Sequence, residues 1–186
     1  MDALRRLQSG LSLIELMLGL FVLSILLALA VPSMREQILR VRLDSAKSEL
    51  MHAMIAAREL GLHGQGWATV CSGFDGTTCR GGGWSAGWVV FVDANNNRVL
   101  DAGEPVLGHR DSLPSDVMAF GNRTVAEYVR FGRNGHAYLH NGGFQAGTIT
   151  LCAPGLSTDN ARLLILAKSG RVREMKTHLQ GCTSGM

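Results

Sequence analysis

This chain of 186 residues lacks the sequence patterns of several common functional classes. Serine, histidine and aspartate are present, but none lies in a recognisable nucleophile motif, so the sequence does not favour an enzyme. None of the four cysteines has the C-x-x-C spacing of a zinc site. The net charge is only +3, which excludes a strong overall field, and there are no internal repeats.

Charge is also nearly absent from one long segment near the N-terminus. Leu11–Val31 has 21 residues, of which only Glu15 is charged. As a helix rising about 1.5 Å per residue it would be roughly 31 Å long, enough to cross a hydrocarbon core of about 30 Å. The short leader before it is basic through Arg5 and Arg6, so we predict that the N-terminus is cytoplasmic and that everything after Pro32 lies outside.

No small-residue cleavage site follows the apolar run, as an ordinary secretory signal would require. The candidate cleavage point, Gly10, precedes the run, so cutting there would leave a mature chain that begins with a membrane helix. Gly10, the fifth residue after it (Glu15), the apolar run and Pro32 together resemble the signal of type IV pilins.

The pilin resemblance implies a role for each residue of this signal. Prepilin peptidase would cut between Gly10 and Leu11, and the new amine of Leu11 would be N-methylated, although pilins usually have Phe there. Glu15 would attract the N-terminal amine of a neighbouring subunit in a filament, since intramembrane carboxylates tend to be paired and functional. The alternative for Glu15 is a carboxylate merely held near the membrane interface.

Beyond the apolar run, the sequence predicts that the helix continues and then gives way to a β-rich domain. Apolar residues spaced three and four apart predict one buried stripe, and Gly61 predicts a C-cap. The stripe comprises Leu43, Ala46, Leu50, Ala53, Ala57 and Leu60. We therefore predict an α+β protein with three parts: a cleaved leader (1–10), a transmembrane and stalk helix (11–61) and a globular head (62–186).

Short apolar runs separated by glycine-rich turns predict the strands of the head. They are Ala68–Cys71, Gly87–Val92, Val117–Phe120, Ala126–Phe131, Ala137–Leu139, Thr148–Cys152, Arg162–Ala167 and Arg171–Met175.

All four cysteines lie in the head, and their even number outside a membrane favours disulfides. Three pairings are open from the sequence alone; the economical one is Cys71 with Cys79 and Cys152 with Cys182. Zinc binding is the less favoured alternative.

A second resemblance narrows the family. The stretch GWSAGWVVFVDANNNRVLDAGEPVL, residues 83–107, resembles the segment after the long helix in GspH/FimT minor pilins and pseudopilins. The resemblance implies a β-sandwich-like antiparallel head on the pilin helix and other pilins as partners. It also implies a single-pass protein of the bacterial inner membrane, with the head in the periplasm, that later enters a pilus or pseudopilus.

The same stretch has the ligand spacing of a calcium loop, at positions 1, 3, 5, 9 and 12. The candidate ligands are Asp93, Asn95, Asn97, Asp101 and Glu104. Against calcium, Arg98 occupies the sixth position, where the turn usually needs glycine. The sequence therefore favours a turn whose side chains bond their own backbone, and no cofactor.

Positive charge is concentrated at the C-terminal end. Residues 162–186 carry a net charge of +4, whereas the rest of the chain sums to −1. Arg171 and Arg173 alternate with Val172, which predicts that both lie on one face of a strand. Lys168 lies across the turn, and Lys176 would extend the patch; such a cluster can neutralise DNA phosphates.

The segment Gly170–Arg173 matches the GRxR pattern of FimT proteins, which bind DNA in natural transformation. This resemblance implies binding of double-stranded DNA without sequence specificity. Two alternatives stay open: a structural, FimU-like minor pilin that does not bind DNA, and a pseudopilin of type II secretion.

Overall fold

The computed structural model describes residues 12–64, 66–74 and 82–182. It contains one long helix, α1 (Leu13–His63), which is long and apolar enough to cross a membrane. The chain forms two compact units, residues 1–37 and Ile38–Met186, so α1 contributes to both. In the first unit, the described apolar side chains are exposed, as expected of a segment whose natural surroundings are lipid or other apolar helices.

In the second unit, α1 presents the predicted apolar stripe to the head. Leu43, Ala46, Leu50 and Ala57 are at most 1% exposed. Ala53 and Leu60 are partly buried against the same core, and Met54 is buried in addition to the predicted set. The spacing of apolar residues three and four positions apart therefore predicted the buried face of the helix correctly.

The prediction that Gly61 caps the helix is wrong, because α1 continues through Gly61 to His63. A Cβ atom at Gly61 would lie 3.1 Å from the carbonyl oxygen of Phe131 and 3.2 Å from that of Gly132. Glycine at this position thus allows the helix to approach the backbone of the head closely.

The strands form two four-stranded antiparallel sheets. The first sheet has the order β3-β2-β1-β5, with β1 at Trp67–Ser72, β2 at Trp88–Asp93, β3 at Val106–Arg110 and β5 at Tyr128–Phe131. The second has the order β4-β6-β7-β8, with β4 at Met118–Gly121, β6 at Gly147–Cys152, β7 at Ala161–Leu166 and β8 at Val172–Thr177. This architecture agrees with the predicted α+β class.

One hydrophobic core joins α1 to both sheets. Its fully buried members include Val70 and Phe131 of the first sheet, and Leu151 and Leu164 of the second. Every residue of this core lies beyond Ile38, so a fragment that starts there retains the whole core.

Two strand predictions need correction. Strand β3 was not predicted. Its residues are exposed or half-buried, so they show no alternation of apolar and polar side chains, and Gly108 in its centre ends the apolar pair Val106 and Leu107. The predicted strand Ala137–Leu139 contributes only isolated bridges, between Phe131 and Ala137 and between Tyr138 and Phe144.

An ion pair ties α1 to the second sheet. Arg162 of β7, whose side chain is only 4% exposed, donates from Nε to Asp44 Oδ1 at 2.7 Å. The hydrogen bond from Arg162 holds the pKa of Asp44 below its usual value of 3.8. Because Arg162 is buried, removal of its carboxylate partner would leave a charge that is poorly compensated.

Replacement of Asp44 by Asn is therefore expected to lower the free energy of unfolding by about 2 kcal/mol at pH 7, the scale of one hydrogen bond to a charged group. A depressed carboxyl pKa stabilises the fold above pH 3.8, and this contribution is lost as the pH falls further. Urea unfolding of residues 38–186 should therefore show a difference between wild type and Asp44→Asn that shrinks below that pH. As a control, Asp116→Asn removes a pair with the half-exposed Arg42 and should cost less than about 1 kcal/mol. Equal midpoints for wild type and Asp44→Asn at pH 7 would contradict this account.

Candidate nucleic-acid interface

Strand β8 forms one edge of the second sheet and pairs only with β7 among the described strands. Val172 packs against the hydrophobic core, whereas Arg171 and Arg173, the residues on either side of it, are exposed. Successive side chains of a strand point to opposite faces, so both arginines lie on the outer face of the sheet. The structure thus gives the two arginines the common face that their spacing predicted.

The turn before β8 is fixed by a neighbouring loop, residues 132–137. The backbone N–H of Ala137 donates to the carbonyl oxygen of Lys168 at 3.2 Å, and Arg58 of α1 donates to that of Gly135 at 3.0 Å. Gly170 has a φ of 74°, and a Cβ atom there would collide with the carbonyl oxygen of Gly135. The glycine of the GRVR segment is therefore required by backbone conformation and by packing.

The basic side chains of this turn differ from most other basic side chains of α1 and the head. Among the described residues, no ion pair or side-chain hydrogen bond involves Lys168, Arg171 or Arg173, and all three are exposed. Several other cations are paired: Lys47 with Glu174, Arg42 with Asp116, Arg110 with Glu49 and Arg162 with Asp44. We name Lys168, Arg171 and Arg173 the basic turn; their charges are available to a ligand.

The structure does not bring Lys176 into the basic turn. Alternate residues of β8 share a face, so Lys176 lies on the same face as Val172 and Glu174, and Arg173 lies on the other. Glu174 bonds Lys47 of α1 on that face, and Lys176 itself contributes to the lowered pKa of Asp44, after the larger effect of Arg162. Lys176 therefore lies on the helix side of the strand, opposite the two arginines.

The five side chains with calcium-loop spacing form hydrogen bonds within the loop itself. The Asp93 carboxylate accepts hydrogen bonds from the backbone N–H groups of Asn97 and Arg98. The side-chain amides of Asn95 and Asn97 each donate to Asp101 at 2.7 Å. The Glu104 carboxylate accepts from the backbone N–H groups of Ala94 and Asp101. Arg98 has a φ of 67°, the left-handed backbone that a sixth-position glycine would supply. No group of three or more His, Cys, Asp or Glu residues in the described ranges is arranged to hold a metal ion. These bonds are those of an Asx-rich turn, and calcium binding stays a hypothesis.

Two of the predicted N-terminal site residues, Gly10 and Leu11, lie outside the described residues. Glu15 lies in the first turn of α1 and is exposed. Its backbone N–H donates to the carbonyl oxygen of Ser12 at 3.0 Å. The acidic group therefore stands near the helix N-terminus, where a negative charge is favourable.

The predicted disulfide between Cys152 and Cys182 is present, with a Cα–Cα distance of 5.9 Å. It ties the C-terminal segment to the end of β6. Cys71 is also disulfide-bonded, and Cys79, its predicted partner, lies outside the described residues.

Sequence reasoning missed the aromatic side chains beside the basic turn. His136, Tyr138 and Phe144 form ring contacts in and after the loop that supports this turn. The alternation of His136 and Tyr138 within "GHAYLHNGGF" was a signal that the two rings share a face, but Phe144 joins them only through a bridge across a turn.

Comparisons with known proteins agree with this architecture. The family model described as Type II transport protein GspH matches residues 46–170, and that of the Prokaryotic N-terminal methylation motif matches residues 5–31. No curated protein matches the chain. Two crystal structures of the Pseudomonas aeruginosa (strain PAO1) type IV minor pilin FimU are similar in fold. One, in space group P21, is 20% identical with a TM-score of 0.54 and covers 77% of this chain and 97% of its own. The other, in space group P65, is 20% identical with a TM-score of 0.52 and covers 75% and 99%.

A methylation motif followed by a long apolar helix, with a head of two antiparallel sheets, defines a protein of the type IV pilin class. Within that class, the chain belongs to the GspH family, the minor pilins and pseudopilins of GspH/FimT type. Members of this class associate with other pilins in a filament.

Proposed function

We propose that this protein is a minor type IV pilin whose head binds double-stranded DNA for uptake in natural transformation. The observation that carries the proposal is the basic turn: three exposed cations, Lys168, Arg171 and Arg173, with no described ion-pair partner, on a turn fixed by the loop at 132–137. Three phosphate contacts supply a weak, sequence-independent affinity, near micromolar at physiological salt.

Filament entry is the second part of the proposal. Prepilin peptidase would cut between Gly10 and Leu11, the latter would be methylated, and Glu15 would pair with the amine of an adjacent subunit. The motif match at residues 5–31 and the apolar helix support this route. The basic leader, with Arg5 and Arg6, would stay in the cytoplasm and leave the head in the periplasm before assembly. Opposite charges in a medium of low dielectric constant attract strongly, although desolvation offsets much of that gain.

A second candidate function is structural, either as a filament subunit without DNA binding or as a pseudopilin of type II secretion. The description of the matching family, a type II transport protein, favours the pseudopilin, and the fold of FimU favours the pilus subunit. Because helix α1 serves assembly in all these cases, only the basic turn separates them from a DNA receptor.

The test is fluorescence anisotropy of a labelled blunt duplex with the full chain in a non-ionic detergent. Wild type should bind with a log–log salt slope of roughly −3, about 0.9 for each phosphate neutralised. The double variant Arg171→Gln/Arg173→Gln should lose most of the affinity, with the slope falling to about −1. Near-UV circular dichroism should stay unchanged, since both side chains are exposed.

Lys176 provides the matched control, because Lys176→Gln removes one charge from the opposite face of the same strand. We expect Arg173→Gln to weaken binding several-fold and Lys176→Gln to change it little. Equal losses would mean that binding follows net charge and not the outer face of β8. If the wild type shows no salt-dependent binding, the DNA proposal fails and the structural candidate replaces it.

A further inference from the structure

Four aromatic side chains form a continuous set of ring contacts at the edge of the first sheet. We name this set, Trp67, His136, Tyr138 and Phe144, the ring cluster. Tyr138 stacks on Phe144 with centroids 5.4 Å apart and planes at 26°, and Trp67 meets Tyr138 edge-on at 5.5 Å. His136 lies 5.8 Å from Phe144. Although it is stacked, Phe144 remains 54% exposed, so a large apolar ring faces solvent.

The ring cluster is held from within the head. The guanidinium of Arg130, a buried residue, lies 4.2 Å from the ring centroid of Trp67 and donates to the carbonyl oxygen of Leu139 at 2.6 Å. The Tyr138 hydroxyl accepts a hydrogen bond from Asn134 at 2.7 Å. These contacts position the rings before any ligand arrives, which lowers the entropic cost of binding.

An open cleft of about 530 Å³ adjoins the cluster. Its walls combine aromatic, amide and cationic groups: Gly66, Trp67, Ala94, Gly132, Arg133, Asn134 and Tyr138. The cleft thus places aromatic side chains beside polar groups, which suits a planar ligand that carries hydrogen-bonding edges.

The backbone joins the ring cluster to the basic turn. Ala137 stands between His136 and Tyr138 in sequence, and its N–H donates to the carbonyl oxygen of Lys168. The next residues of the turn lead directly to Gly170, which packs against the loop that carries His136. The loop that carries His136 and Tyr138 is therefore bonded directly to the turn that carries Lys168 and Arg171.

A ligand that uses both features must carry anionic groups next to flat aromatic faces. Single-stranded DNA has both, whereas a blunt duplex buries its base faces in the stack and offers only phosphates to the basic turn. We propose that the ring cluster is a stacking platform for unpaired bases, so that the head binds single-stranded DNA more tightly than duplex. This inference rests on the proposed DNA-binding function, since the basic turn supplies the phosphate contacts.

The test compares three labelled probes against the full chain in a non-ionic detergent: a single-stranded oligothymidine, an abasic strand of equal length, and a blunt duplex. The abasic strand keeps the phosphates and lacks the bases. Wild type should bind oligothymidine at least about fivefold more tightly than the abasic strand, the lower range for stacking of one base. Phe144→Ala should abolish this difference and leave duplex binding unchanged.

Two further variants make the result specific. Leu107→Ala shortens another apolar side chain that is also 54% exposed, on β3, and should change none of the three affinities. Phe144→Trp keeps a large ring and should preserve the preference for bases. An unchanged thermal midpoint for Phe144→Ala would show that the head keeps its fold.

Several outcomes would overturn the inference. The platform does not exist if wild type binds the abasic strand as tightly as oligothymidine, or if Phe144→Ala has no effect or weakens all three probes equally. If the duplex still responds to Arg171→Gln/Arg173→Gln in that case, the DNA-receptor proposal stands and only the platform falls. If no probe binds wild type, both fall together.

Discussion

Replacement of Trp84 by alanine is expected to lower the free energy of unfolding of the head by about 4 kcal/mol, near the middle of the range for buried aromatic residues. Trp84 is 0% exposed and belongs to the core that joins α1 to both sheets. Its Nε1–H donates to the carbonyl oxygen of Val125 at 2.8 Å, so truncation also leaves a buried acceptor unsatisfied. Because domains are typically stable by only about 5–15 kcal/mol, this single change removes a large share.

Urea unfolding of residues 38–186, followed by far-UV circular dichroism, measures the effect. Trp84→Phe is the matched variant, since it keeps most of the apolar ring and removes the Nε1–H donor. We expect it to cost about 1–3 kcal/mol, the scale of an unsatisfied buried acceptor. If Trp84→Ala unfolds within about 1 kcal/mol of wild type, Trp84 does not anchor the core.

Features of the protein that depend on neighbours in sequence could be predicted well. The signal at Gly10 and Glu15 is a short motif with a fixed spacing, and the apolar stripe from Leu43 to Leu60 follows the period of a helix. Neither needs knowledge of contacts that are distant in sequence. The stripe is buried as expected, and the motif match covers the N-terminal signal. The alternation of Arg171 and Arg173 was local in the same way: Arg173 lies in β8, Arg171 directly precedes this strand, and both are exposed.

Features that depend on contacts distant in sequence could not be predicted. Gly61 is the residue type that commonly caps a helix, but here glycine is needed because the backbone of Phe131, which is far away in the chain, packs closely against it. Strand β3 forms because β2 offers an edge, since its own residues show no buried face. Lys176 has the charge of a phosphate ligand, yet the strand turns it toward the side of Asp44.

The ring cluster shows the same limit within the candidate site. Trp67 comes from β1, whereas Tyr138 and Phe144 come from a segment about 70 residues later, so no window of sequence contains them together. Only the pairing of β1 with β5 brings the two segments to one edge. A basic motif could therefore be recognised in the sequence, but the aromatic surface beside it could not.

The Cys152–Cys182 disulfide is expected to stabilise the head by about 3–4 kcal/mol, because it closes a loop with a sequence separation of 30. In the chain-entropy description, this restriction of the unfolded chain produces the gain. Two hydrogen bonds support the same closure: the side chain of Asn160 donates to the Leu179 carbonyl at 2.9 Å and accepts from its N–H at 2.8 Å.

The double variant Cys152→Ser/Cys182→Ser tests this contribution separately from the other disulfide, which a reducing agent would also break. Its urea midpoint should fall well below that of the oxidised wild type, and the slope of the transition should rise, because the unfolded chain without the cross-link exposes more surface. DNA binding at 20 °C should persist, because β8 is independently held to β7 by six residue pairs from Val172 to Thr177. Equal midpoints for the variant and wild type would refute the stabilising role. Loss of DNA binding by a folded variant would instead mean that the disulfide, and not the β7–β8 ladder, holds Arg171 and Arg173 in place.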